Sequence, residues 1–295
     1  MSNFAKKVLV SGLVILGTVW SANLARADLL AASRGTSSIK RYDELSGEYL
    51  GDFTTAAVLR PAGMAFGGDG NLYVSSHGSN SILQFDGTTG ELLRTFVAAG
   101  VGGLSMPAGI TFGPDGNLYV NSIGSASVLR YNGNTGEFID AFVPRDETVL
   151  IKPGIGIVFG PDGNLYVGDE AANTILRFDG TSGAFIDIFA SDSLFGPAAI
   201  AFGPDCNLYV VSNNSNSIVR FDGNTGALID IFSSGGDYSR PIGLAFGRDG
   251  NLYVDNHLSN DVLLIDGPTG MELGEFVPAG SGGLNTTTTV IFTPE

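Results

Sequence analysis

Apolar residues along this chain fall in short runs closed by turns rich in Gly, Asp and Asn, and the tetrad Asn-Leu-Tyr-Val recurs at Asn71, Asn117, Asn164, Asn207 and Asn251. Its spacings of 46, 47, 43 and 44 residues match the length of one four-stranded propeller blade. The third unit shows how each period divides. An apolar run over Gly109–Phe112 leads into Gly113-Pro114-Asp115-Gly116, a tight-turn sequence. Leu118–Val120 and Ser127–Tyr131 read as the next two strands, Asn132–Gly136 as a second Gly-bearing turn, and Phe138–Phe142 as the last strand. Alternation is weak in the inner strands, as expected where both faces are covered by neighbouring blades.

The two ends of the repeat complete each other. Leu29–Ser33 aligns with Leu72–Ser76, and Ser38–Asp43 with Ser81–Asp86, so the N-terminal unit has three strands and lacks its innermost one. Val290-Ile291-Phe292-Thr293-Pro294 matches Ile110-Thr111-Phe112-Gly113-Pro114 and supplies it. The expectation is an all-β, six-bladed β-propeller of four-stranded antiparallel blades over 28–295, with one blade assembled from both termini so that no sheet is left open at the ring's seam.

The first 27 residues follow a different pattern. Lys6 and Lys7 precede an apolar run over Val8–Val19, and Ala25-Arg26-Ala27 forms an A-x-A cleavage site, together predicting a secretory signal peptide over 1–27. The apolar run is shorter than the roughly 20 residues that span a bilayer. The mature chain is therefore expected to be secreted or periplasmic, with no membrane insertion after cleavage. Removing Lys6, Lys7 and Arg26 takes the formal charge from −15 to −18, which disfavours nucleic acid and anionic membranes as partners. Cys206 is the single cysteine, so no internal disulfide is available. It replaces the Gly of a recurring Asp-Gly-Asn turn and reads as drift at a tolerant position.

The repeated string Pro-x-Gly-[IM]-x-Phe-Gly-x-Asp-Gly-Asn-Leu-Tyr-Val resembles NHL-repeat propellers, the superfamily that includes streptogramin lyases and gluconolactonases, over essentially all of 28–295. The resemblance implies the fold. It does not imply one activity, because these repeats carry binding modules and unrelated enzymes alike.

Two rims follow from the blade topology. One is monotonous, built of Asp-Gly-Asn and Asp-Gly-x-Thr-Gly turns; the other varies and is the expected place for a ligand. At the end of the second strand the equivalent positions are Arg34, His77, Ile123, Glu170, Asn213 and His257. Just before the innermost strand they read as Leu284, Arg60, Met106, Lys152, Gly196 and Arg240. Arg60, Lys152 and Arg240 would place three cations around the channel mouth, suited to a carboxylate or phosphate. The alternative is that they neutralise Asp146, Glu147, Asp192 and Asp237 in adjoining loops. Arg41, Arg130, Arg177 and Arg220 share one third-strand position that reads as structural.

The enzyme readings find less support. The resemblance to gluconolactonases implies a divalent ion held partly by an Asn after the Pro of an inner strand, but Ala62, Ala108, Gly154, Ala198 and Ile242 stand there. Asn285 reads as the shared blade's counterpart, and one amide is too few for a hard cation. The resemblance to streptogramin lyases implies a His, glutamates and Mg²⁺. The glutamate positions correspond here to Ser76, Ser122, Asp169, Ser212 and Asn256. His77, His257, Asp169 and Glu170 remain a candidate acid-base or metal cluster. Two histidines on separate blades do not support the zinc site of the related peptidyl-hydroxyglycine amidating lyases. No strained turn presents a nucleophilic Ser. Asp222-Gly223-Asn224-Thr225-Gly226 resembles the start of a calcium loop but has Ser233 where the bidentate Glu belongs.

These readings converge on a non-catalytic exported binding propeller. Its ligand-binding candidates are Arg60, Lys152, Arg240, His77, His257, Asp169, Glu170 and Arg34, its partner a small anionic molecule or a protein. No cofactor is expected beyond weak Ca²⁺ or Mg²⁺, and no catalytic or metal residue is assigned. The alternative is a metal-dependent lyase or lactonase-like hydrolase on the same rim.

Overall fold

A computed structural model describes residues 27–54, 56–146, 149–150 and 152–294. The predicted leader, apart from Ala27, lies outside the described residues, as do Glu147 and Glu295. Six four-stranded antiparallel sheets form the ring. In the third blade the strands are Pro107–Phe112, Leu118–Ser122, Ser127–Tyr131 and Phe138–Val143, from axis to periphery. Blade 1 is stitched from both ends as expected. Its innermost strand Thr287–Phe292 pairs antiparallel with Leu29–Ser33, and Ser38–Tyr42 and Tyr49–Asp52 follow outward.

The repeated Asn-Leu-Tyr-Val explains the packing. Its Leu and Val are buried against the preceding blade, while its Tyr reaches the seam with the next one. Tyr119 meets Phe142 of its own outer strand and Phe159 of the following blade, both edge-on at 4.9 Å. Tyr73, Tyr166, Tyr209 and Tyr253 repeat this trio at their own seams. Such edge-to-face pairs add about 0.5–1.5 kcal/mol each beyond area burial. At the seam from blade 1 to blade 2, Leu30 takes the place of Tyr and packs with Phe53 and Phe66.

The phenol also fastens the turn before it. Tyr119 donates to Asp115 Oδ2 at 3.0 Å, and Asp115 accepts from the amide and side chain of Asn117. Burial works to raise the Asp115 pKa, yet these hydrogen bonds and Arg130 outweigh it and hold the carboxyl below its ordinary value. Burial and the Asp115 charge push the Tyr119 phenol up to about 12. Behind it, Arg130 forks onto Asp140 at 3.0 and 2.5 Å and lies over the Phe142 ring. Arg177–Asp187 and Arg220–Asp230 repeat this pairing, which makes the shared third-strand position structural. Arg41 departs from it, pairing with Asp28 instead. Cys206 is exposed with φ +63°, the backbone conformation that the turn's usual Gly supplies freely.

Candidate functional site

On the opposite rim a cavity of about 500 Å³ opens at the ring's axis. All six residues that follow the second strands line it: Arg34, His77, Ile123, Glu170, Asn213 and His257. A deeper ring is made by the first residue after the strand-opening position of each blade, Ala62, Ala108, Gly154, Ala198, Ile242 and Thr288. These are small or apolar except for Thr288, which leaves the axis open.

Two assignments in the shared blade need correction. The residue before its innermost strand is Thr286, not Leu284: Arg34 donates its amide to Thr286 O as His77 does to Arg60 O. Thr286 also shares the left-handed backbone of Arg60, Met106, Gly196 and Arg240, with φ +55° against +51° to +63°. Leu284 instead closes a single 3₁₀ turn over Ser281–Gly283 and is buried in the seam between blades 6 and 1. Likewise Thr288, not Asn285, is the counterpart of Ala62.

Each histidine is pinned from behind. His77 Nδ1 lies 3.3 Å from Pro107 O and His257 Nδ1 2.7 Å from Thr287 O, each carbonyl opening the next blade's innermost strand. A carbonyl only accepts, so Nδ1 carries the hydrogen and Nε2 of the neutral ring is an acceptor. Asn213 donates to Pro241 O at 2.7 Å in the same manner. Burial, then the nearby Arg34, lowers the His77 pKa, with Arg60 adding to it and Pro107 O opposing. Burial also lowers that of His257; Thr287 O opposes, while Arg240 and Arg34 add to the lowering. Arg34, between the two histidines on the ring, is itself pushed down by burial and by Arg60.

The predicted cations separate into two groups. Lys152 is paired with Glu170 at 2.6 Å, so its neutraliser is the cavity-lining acid of its own blade rather than the loop acids Asp146, Asp192 or Asp237. Among the described residues no carboxylate lies within ion-pair distance of Arg34, Arg60 or Arg240. Arg240 Nε reaches Asn213 Oδ1 at 3.3 Å, and its amide is held by Asn216 Oδ1 at 2.9 Å. Arg60 is exposed at the rim beside Arg34 and His77 and is not among the residues lining the cavity wall.

Asp169 does not join Glu170 at the cavity. Neighbours on a strand point to opposite faces, and the buried Asp169 carboxylate accepts from the amides of Lys152, Ala171 and Ala172. Ser76, Ser122, Ser212 and Asn256 likewise bond the loop before their blade's innermost strand. The positions where the resemblance places Mg²⁺-binding glutamates are therefore turned into the blades, and these residues do not fit that ion. No group of three His, Cys, Asp or Glu suited to a metal occurs among the described residues. Asp222 Oδ1 accepts from Asn224, Thr225 and the Thr225 hydroxyl, as a hairpin turn requires.

One buried acid beside the cavity escaped sequence reasoning. Asp255, two residues before His257 and on the same face of the strand, is fully buried; its Oδ1 accepts from the amides of Gly243 and Ile242. Its Oδ2 and Thr287 Oγ1 lie beside each other without full hydrogen-bond geometry, and neither has another partner; the Thr287 hydroxyl still works to lower the carboxyl pKa. Burial pushes this carboxyl up to about 6, against the lowering by the two amides.

The virginiamycin B lyase family model matches residues 53–272. The chain belongs to the virginiamycin B lyase family. Solved structures share its fold at low identity. A chain of a nidogen/laminin complex superposes with a TM-score of 0.73 at 20% identity, covering 91% of this chain and 98% of its own length. A gluconolactonase from Xanthomonas campestris gives 0.64 at 19%, covering 90% and 88%. Virginiamycin B lyase from Staphylococcus aureus gives 0.57 at 20%, covering 74% and 69%. No curated protein matches the chain. This member of the virginiamycin B lyase family keeps the propeller fold, while its cavity carries arginines and carbonyl-pinned histidines.

Proposed function

We propose that this protein is an exported, non-catalytic binding propeller that captures a small anionic ligand in its axial cavity. The observation that carries the reading is the cluster on blades 6, 1 and 2, where Arg34, Arg60 and Arg240 gather without a carboxylate partner among the described residues. In a chain of formal charge −15, cations kept unpaired at one mouth favour a carboxylate or phosphate guest. The leader-like 1–27 sequence supports export to a secreted or periplasmic location.

Isothermal titration with a panel of carboxylates and phosphates tests this. At least one anion binds, and Arg34→Gln with Arg240→Gln weakens it by about tenfold or more. Burial lowers both histidine pKa values, and the neighbouring arginines add to it, so at pH 7 the rings stay neutral and the arginines supply the charge that the anion meets. Unchanged affinity in the arginine variants would remove the reading.

A lyase or hydrolase on the same rim is the second reading. It is favoured by family membership and by the Nε2 acceptors of His77 and His257, neutral bases in rings that line the cavity. Turnover of a bound anion that is abolished by His77→Asn or His257→Asn would establish it in place of simple capture.

A further inference from the structure

The donors and acceptors around the cavity specify more than a negative charge. We propose that the ligand is a hydroxy carboxylic acid with an aliphatic or aromatic body, its carboxylate on Arg34 and its hydroxyl donating to Nε2 of His77 or His257. This rests on the anionic-ligand reading above.

Three features of the wall carry it. Arg34 offers only donors, and the histidine on either side, with Nδ1 committed to a backbone carbonyl, offers only an acceptor. A bare carboxylate or phosphate would set its oxygens against those lone pairs. A carboxylate with an adjacent O–H complements both. An ammonium could also donate to Nε2, but Arg34, Arg60 and Arg240 oppose a second positive charge there.

Part of the far wall is apolar, between the Lys152–Glu170 pair of blade 4 and the histidines, while blade 5 adds the amides Asn213 and Asn214. Blade 3 contributes Met106, Ala108 and Ile123, and blade 4 contributes Ile155. Ile155 reaches the cavity through an extra residue: four positions separate the paired residues Pro153 and Ile157, against three between Pro107 and Ile110 of blade 3. The hydroxyls of a sugar acid would face these side chains without partners. The one acid on this side, Glu170, is held by Lys152 over Gly154, so the wall presents no unpaired charge to an apolar body. A volume of about 500 Å³ is within the range of small-molecule sites.

Calorimetric titration at pH 7 with mandelate, phenylacetate, phenylglycine, glycolate, gluconate and inorganic phosphate separates the contributions. Mandelate is expected to bind at least about tenfold more tightly than each of the others. His77→Asn together with His257→Asn, which retains a side-chain donor for the blade carbonyl as Asn213 does, should reduce mandelate to the level of phenylacetate. Ile123→Ser should reduce it toward glycolate. Unchanged melting temperatures confirm that the variants are folded. Gluconate or phosphate binding as tightly as mandelate, or phenylglycine binding more tightly, overturns this inference and leaves the anion reading standing; the absence of binding by every anion overturns both.

Discussion

The rim of Asp-Gly-Asn turns and the rim around the cavity are built at opposite ends of the same strands, yet Arg130 on the first and Arg34, Arg60 and Arg240 on the second meet charge in opposite ways. On the first, Arg130 is forked onto Asp140 and stacked on Phe142, and Asp115 is surrounded by Asn117 and Tyr119. On the second, three arginines gather without a carboxylate among the described residues, and a buried acid keeps an oxygen without a partner. Groups satisfied internally stabilise the ring; groups left unsatisfied cost stability and are available to something else. The division between fold and function in this propeller therefore lies between its two rims.

The contrast between acids gives the largest expected effect. Asp115 is held below its ordinary value, so its stabilisation is present above the unfolded pKa and is lost as pH falls through the folded one. Asp255 is the reverse. Its folded pKa of about 6 lies above the unfolded value near 3.9, so its contribution is full below about pH 4 and is lost as pH rises through 6. Asp255→Asn should therefore gain on the wild type as pH rises, from near zero at pH 4 to about 3 kcal/mol at pH 7. Paired denaturation curves across this window measure it, and a pH-independent difference would put the proton elsewhere.

Backbone crowding separates the rims next. A Cβ on Gly133 would lie 1.8 Å from Gly116 O, a backbone atom fixed by the turn, so Gly133→Ala should destabilise by about 2 kcal/mol or more. On the cavity rim the three atoms nearest to a Cβ on Gly35 all belong to the Asn285 side chain, from Oδ1 at 2.1 Å to Cβ at 3.1 Å. Rotation of that amide should keep the cost of Gly35→Ala below about 1 kcal/mol. Equal losses in urea titrations would contradict the contrast.

Smaller effects should have opposite signs. Neutralising Arg34, Arg60 and Arg240 together relieves like-charge crowding and should leave the melting temperature unchanged or raise it slightly, even as ligand binding fails. A double-mutant cycle on Arg130 and Asp140 should return a favourable coupling of about 0.2–1 kcal/mol, kept small by solvent screening at this partly exposed pair.

Much of this was legible in the sequence because a propeller writes its fold repeatedly. The strands Leu29–Ser33 and Ser38–Tyr42 fall where the alignment to Leu72–Ser76 and the following unit places them. The register failed only where the repeat loses its marker. Pro61, Pro107, Pro153, Pro197 and Pro241 open five innermost strands, but Thr287 opens the sixth, and Leu284 and Asn285 were consequently misplaced. Five of the six cavity positions could be found by counting from each Asn-Leu-Tyr-Val, and Arg34 by aligning Leu29–Ser33 with Leu72–Ser76. The partner of Lys152 and the inward turn of Asp169 could not, since they depend on which face of the strand each side chain takes. Asp255 carried one available signal, its spacing of two from His257.

The closure of blade 1 also decides how the molecule can be held. Asp28 O accepts from the Thr293 amide at 2.9 Å, and Asp28 donates its own amide to Thr293 Oγ1 at 2.9 Å. Both ends of the described ring thus meet at the Asp-Gly-Asn rim, as far from Arg34 as a strand is long. A tether, a fusion partner or a surface immobilised through either end would grip the blunt side of the disc and leave the cavity facing outward.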